Sequence, residues 1–241
     1  MAILNSHLVI AIDGPAGAGK SVFGAALARA LHAICIDSGI VYRAVTWIAM
    51  TQDLDPDDDA TLGPIALSMD LQIIPLTVHD GRQFTVLIGG EDVTWALRTP
   101  DIDRTVSRPS ALAGVRSAVT VQLRHLARES RVVMIGRDIG TVVLPDANVK
   151  FYVTATPETR ARRRADELLA RGHQADVADI LRSIIERDAR DTGRATAPLR
   201  PADDAVYLET DNLTVDAEVA FALDVVQRTQ RSATALETNN G

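Results

Sequence analysis

Apolar and polar positions follow two rhythms along the chain. Short apolar runs recur at 8–12, 34–36, 132–135, 149–154 and 205–208, and each reads as a strand. Between them lie longer stretches with the three-to-four spacing of amphipathic helices. These begin near Ser21, Ile40, Ser110, Pro157 and Asp176, and a last one runs from Val215 to about Arg228. Strands alternating with helices predict an α/β fold, a five-stranded parallel sheet flanked by helices in a doubly wound core. The stretch 67–107 breaks the rhythm. There, 71–75 and 84–88 flank the turn residues His79-Asp80-Gly81, which predicts an antiparallel hairpin inserted in the core. The tail 231–241 is polar and aperiodic and is expected to be flexible.

Composition narrows the class. The 241 residues are 46% hydrophobic and 24% charged, and 25 basic residues against 32 acidic ones leave a formal charge of −7. Such a balance lacks the basic footprint that nucleic acid or an anionic membrane requires, so an anionic ligand must be met locally. No apolar run is long enough to span a bilayer, and the first twelve residues lack a basic leader and a cleavage site. One cysteine, Cys35, forbids an internal disulfide and reads as a buried small hydrophobe, so a cytoplasmic protein is expected. No dimerisation stripe is visible, and a monomer is expected. Only two of the 25 basic residues are lysines, Lys20 and Lys150.

Lys20 closes the run Gly14-Pro15-Ala16-Gly17-Ala18-Gly19-Lys20-Ser21. The spacing G-x-x-x-x-G-K-S, directly after an apolar strand and before a helical stretch, is the context in which this motif binds phosphate. Glycines let backbone N–H groups converge on one concavity, and the helix N-terminus adds partial positive charge. ATP is the expected donor, cradled by Gly14 through Val22, with Lys20 on its outer phosphates and the Ser21 hydroxyl on Mg²⁺. A GTPase would need an N-K-x-D run, which the chain does not contain. Arg43 and Arg137 each follow a strand closely, at the sheet edge where ligands bind in open α/β folds. Arg187, Asp191 and Arg194 share one helix face if the helix continues through Gly193, although a solvated ion-paired face fits the same spacing. Arg160, Arg162, Arg163 and Arg164 suggest a lid within 156–175 that closes over ATP, and neighbours on a helix diverge, so only some of them can face it.

Longer segments carry a resemblance. Ile12-Asp13-Gly14 through Ser21, Asp37-Ser38-Gly39-Ile40-Val41-Tyr42-Arg43, Gly90-Glu91-Asp92-Val93-Thr94, Leu97-Arg98-Thr99-Pro100, Gly136-Arg137-Asp138-Ile139-Gly140 and Glu186-Arg187-Asp188-Ala189-Arg190-Asp191 are similar to segments of bacterial cytidylate kinases. The resemblance spans about residues 8 to 228. It implies a single nucleoside monophosphate kinase domain over 1–241, with 67–107 as a small insert on the CMP side. It also implies transfer of the γ-phosphoryl of ATP to CMP or dCMP. Family positions for the acceptor fall here on Ser38, Tyr42, Arg43, Ser107, Arg116, Arg137, Asp138, Arg187, Asp191 and Arg194, with Lys20, Arg137, Arg187 and Arg194 as catalytic groups. Kinase action on a non-nucleotide acceptor and nucleotide binding without turnover are the alternatives. Similar proteins carry an acidic residue just before Gly136, where this chain has Ile135; Asp37 or Asp138 is then expected to orient the metal, and Ile135→Asp to change the Mg²⁺ requirement.

Overall fold

The structure is a computed structural model that describes residues 8–239 apart from 75, 76, 79, 81, 83, 129, 130, 171, 173 and 195, with side chains to 232. Two compact units divide the chain, 1–35 with 129–241 and 36–128.

The first unit is organised on a parallel sheet. β1 (Val9–Asp13) is buried along its whole length because it lies between β6 (Val132–Ile135) and β7 (Val149–Thr154). β2 (Ile34–Asp37) and β8 (Val206–Glu209) complete the order β2-β6-β1-β7-β8. The near-continuous Val/Ile content of β1 and β6 is what burial on both faces demands. α1 (Lys20–Ala30) lays Phe23 and Leu27 into the core with Ile10, Ile12, Ile135, Phe151 and Val153, and Phe23 meets Phe151 edge to face at 5.9 Å. Gly24 is required on that helix face: a Cβ there would stand 2.5 Å from Ile135 Cδ1. α6 (Pro157–Ala170) packs on α7 (Val177–Gly193). α8 (Val215–Asn239) packs on α1 and continues eleven residues beyond the end near Arg228 that periodicity suggests. Cys35 is half-buried against this core rather than fully enclosed.

The second unit holds α2 (Ser38–Thr51), α3 (Asp59–Ser68), α4 (Pro100–Thr105) and α5 (Ala113–Ala127). Its antiparallel sheet contains β3 (Leu71–Ile74), β4 (Thr85–Ile88) and β5 (Glu91–Asp92) in that order. The expected hairpin is therefore present, with a third strand added; His79 and Gly81 of its turn lie outside the described residues. Arg82 ties the hairpin together, donating to Asp80 and to Asp92, while the Trp95 indole N–H donates to Asp80 at 2.8 Å. α3 was not legible from periodicity, because Pro64 and Gly63 sit inside it and its apolar positions show no helical face. Asp59 closes the unit by accepting from the Gly114 and Val115 amides at 2.8 and 3.0 Å, capping α5 from another helix.

Candidate active site

In the first unit the carboxyl ends of the strands carry the chemistry. β1 feeds the glycine loop, in which Gly14, Gly17 and Gly19 all take positive φ (146°, 77° and 88°). Gly14 has a second reason to be glycine, since any Cβ there would collide with the Val153 carbonyl of β7. Lys20 is buried, and its Nζ donates to the Pro15 carbonyl at 2.6 Å, so the ammonium is folded back under the loop. Ser21 and Val22 are exposed at the start of α1.

Beyond β6, residues Ile139–Val143 form a π-helical turn whose first amides are held by a side chain the sequence reading passed over. Asp13, the last residue of β1, accepts from the Ile139 N–H at 2.8 Å and the Gly140 N–H at 2.7 Å. Burial lifts its carboxyl to a pKa of about 6, partly offset by those two amides and by Lys20, while the charge of Asp138 adds to the rise. A carboxylate ending an apolar strand was the available signal. This contact fixes the segment that contains Arg137 and Asp138, of which Asp138 is buried.

Arg137 donates from Nε to Asp191 on α7 at 3.1 Å, and Arg194 approaches the other Asp191 oxygen at 3.9 Å. α7 ends at Gly193 and does not continue through Arg194, so Arg194 is not on the helix face. It reaches Asp191 from outside and is anchored by Nε to the Ala197 carbonyl at 2.9 Å. Arg187 is exposed on α7. The structure thus brings Arg137, Asp191 and Arg194 together.

The four arginines of α6 diverge. Arg160 is 3% exposed and points into the protein. Arg163 donates to the Thr210 carbonyl and to its hydroxyl, and that hydroxyl donates to the Ala18 carbonyl of the glycine loop at 3.1 Å. Arg162 and Arg164 are exposed, and Arg164 pairs with Glu167. A cavity of about 460 Å³ beside this helix is lined by Pro15, Tyr152, Thr156, Arg160, Asp188 and Asp211 among others.

In the second unit, Ser38 and Tyr42 are buried on α2, and Arg43 follows them. Arg43 donates to the Leu97 carbonyl at 3.0 Å and pairs with Asp103 at 2.5 Å. Arg116 on α5 is buried, lies 5.5 Å over the Tyr42 ring and donates to the Ser110 carbonyl at 3.0 Å. The Ser110 hydroxyl in turn donates to the carbonyl of exposed Ser107. A guanidinium over an aromatic face is attracted by the negative face of the ring.

Three positions bear on the expectations about the metal. Ile135 is buried among Ile12, Phe23 and Phe151, against Gly24, so its side chain belongs to the core beneath α1. Asp37 caps α2, accepting from the Gly39 N–H at 2.9 Å. Asp138, buried just beyond β6, is a further carboxylate at the sheet edge. Among the described residues no group of three or more His, Cys, Asp or Glu side chains stands ready for a metal.

The cytidylate kinase family model matches residues 10–228 of this chain. The chain belongs to the cytidylate kinase family. A cytidylate kinase of Chloroflexus aggregans is 45% identical over 215 residues, 89% of this chain and 92% of that relative. One from Desulforamulus reducens is 42% identical over 225 residues, 93% of this chain and 99% of the other. Among solved structures, an uncharacterised protein of Eubacterium ventriosum superposes with a TM-score of 0.51 at 11% identity, covering 92% of this chain and 99% of its own, a likeness of fold alone. A shikimate kinase of Bacteroides thetaiotaomicron reaches 0.47 at 15% identity, covering 91% and 98%, too distant to speak for the acceptor. Membership of the cytidylate kinase family therefore rests on sequence over nearly the whole chain.

Proposed function

We propose that this chain transfers the γ-phosphoryl of ATP to the 5′-phosphate of CMP or dCMP, yielding ADP and CDP or dCDP. The observation that carries this reading is the intact phosphate loop, Gly14 through Ser21 with Lys20 in place, within a family match over residues 10–228. An acceptor phosphate oxygen forms the new bond to the γ-phosphorus as the bond to the β,γ-bridging oxygen breaks. That oxygen is already ionised, so no general base is required, and the work is positioning and charge neutralisation.

Lys20 turns from the Pro15 carbonyl toward the β- and γ-phosphates. Arg137 and Arg194, already held by Asp191, supply fixed donors to the transferring phosphoryl, and a preorganised donor does not have to reorganise as charge shifts. Ser38, Tyr42, Arg43, Ser107, Arg116, Asp138 and Arg187 are the residues assigned to the acceptor nucleotide. The hydroxyl of Ser21 and the carboxylate of Asp138 are hard oxygen donors that fit Mg²⁺, an ion that keeps most of its ligands as water and phosphate oxygens. When bound it supplies charge neutralisation at the phosphates. The same reading makes the protein a cytoplasmic monomer.

A coupled assay of ADP release with CMP, dCMP, UMP, AMP and GMP as acceptors tests this directly. Turnover is expected with CMP and dCMP at least tenfold above the other acceptors. Equal or better turnover with UMP or AMP would remove the specificity claim, and ATP binding with no transfer to any monophosphate would leave a nucleotide-binding protein.

A further inference from the structure

We infer that Arg160 and Asp188 are positioning residues that strap the phosphate loop to α7 and so set where that helix presents Arg187 and Asp191. The inference rests on the proposed function, because those two residues are assigned to the acceptor. It gives Arg160 a different task from that of an arginine facing ATP.

The guanidinium of Arg160 uses all three of its directions. Its Nε donates to the Ala155 carbonyl at the end of β7 at 3.0 Å, Nη1 to the Ala16 carbonyl of the phosphate loop at 3.1 Å, and Nη2 to Asp188 Oδ2 at 2.6 Å. One planar fork therefore joins strand, loop and helix, a geometry that lysine cannot reproduce with a single nitrogen. The loop lies directly on this side chain: a Cβ on Gly17, whose φ is +77°, would come 3.3 Å from the Arg160 Cβ. Burial makes the pair consequential on the arginine's side: the Arg160 side chain is 3% exposed, while Asp188 is 24% exposed and partly open to the cavity. Asp188 Oδ1 is also buried and has no hydrogen-bond partner among the described residues, so Arg160 is the partner that compensates this carboxylate.

Asp188 stands immediately after Arg187 and three residues before Asp191 on α7. Asp191 in turn holds Arg137. A small rotation of α7 about a loosened strap would displace Arg187 and the Asp191–Arg137 contact, whereas the loop's own glycines would keep their shape while Arg160 still held Ala16. The strap therefore predicts that its two halves have different kinetic effects.

Steady-state kinetics of the full chain with ATP and CMP varied independently, together with thermal unfolding, test this on Asp188→Asn, Arg160→Lys and the double replacement Arg160→Met with Asp188→Leu. Wild-type turnover of CMP is measured first and judges the functional reading by itself. Asp188→Asn keeps the shape and leaves Arg160 on Ala16; it is expected to raise KM for CMP at least fivefold and leave KM for ATP within twofold. Arg160→Lys is expected to weaken binding of a non-hydrolysable ATP analogue at least fivefold, a readout that does not depend on the acceptor. The double variant replaces the pair by apolar side chains, so it should fold even where a single replacement does not, and its KM for CMP should stay raised. Proportional change in both KM values of Asp188→Asn with a fall in Tm, unaltered analogue binding in Arg160→Lys, or wild-type kinetics in the double variant would each overturn the strap.

Discussion

Burial holds the Asp13 carboxyl at a pKa of about 6, above the ordinary 3.8. The folded protein therefore binds this proton more tightly than the unfolded chain does. Its contribution favours folding fully below about pH 4 and is lost as pH rises through about 6, a span on the order of 3 kcal/mol. Asp13→Asn cannot ionise, so its stability relative to wild type should improve as pH is raised from 4 to 7.5. Urea midpoints at several pH values measure this, and parallel curves for the two proteins would contradict it. Position 135 makes a second residue argument. Isoleucine there is enclosed by Ile12, Phe23 and Phe151, and Ile135→Asp would place a carboxylate in that core. The expected outcome is a loss of more than about 4 kcal/mol in urea unfolding, with any change in Mg²⁺ requirement secondary to it. The sequence comparison drew attention to this position as a missing acid; the packing explains it as a piece of core.

Two elements owe their placement to single residues. α1 can lie close to the sheet because Gly24 has no Cβ, so Gly24→Ala should destabilise by about 1–3 kcal/mol through overpacking against Ile135, despite alanine's better helix propensity. Adding Ile135→Val removes the colliding Cδ1 and should recover part of that loss, a non-additivity that a double-mutant cycle detects. α5 starts without a side-chain cap of its own, and Asp59 supplies one from α3. Asp59→Ala should cost about 1–2 kcal/mol by equilibrium unfolding. Neither partnership has a sequence signature, since Asp59 and Gly114 are 55 residues apart. The starts of the six helices that periodicity predicts, by contrast, were readable within about three residues, because amphipathic spacing is a local property, whereas α3 and α4 carry no such spacing.

Taken whole, the chain is acidic, with a formal charge of −7, and its basic side chains are committed to internal partners at several points, Arg82, Arg137 and Arg160 among them. Fluorescence anisotropy with a labelled single-stranded oligonucleotide at 0.1 M salt should show no binding at micromolar protein. Among the described residues no helix is long and apolar enough to cross a membrane. The strands of the parallel sheet, the helices between them and the phosphate loop were present in the linear pattern. Each depends on interactions close along the chain: alternation of apolar runs, glycines next to a strand end, a lysine opening a helix. Which arginine of α6 meets the phosphate loop, which carboxylate holds the turn after β6, and why an isoleucine occupies position 135 came only from the folded chain. Those outcomes turn on pairs such as Arg160 with Ala16, Asp13 with Gly140 and Ile135 with Gly24, at sequence separations above one hundred. Local spacing carries no information about such pairs, because the sheet order that brings them together is set by burial of the whole core.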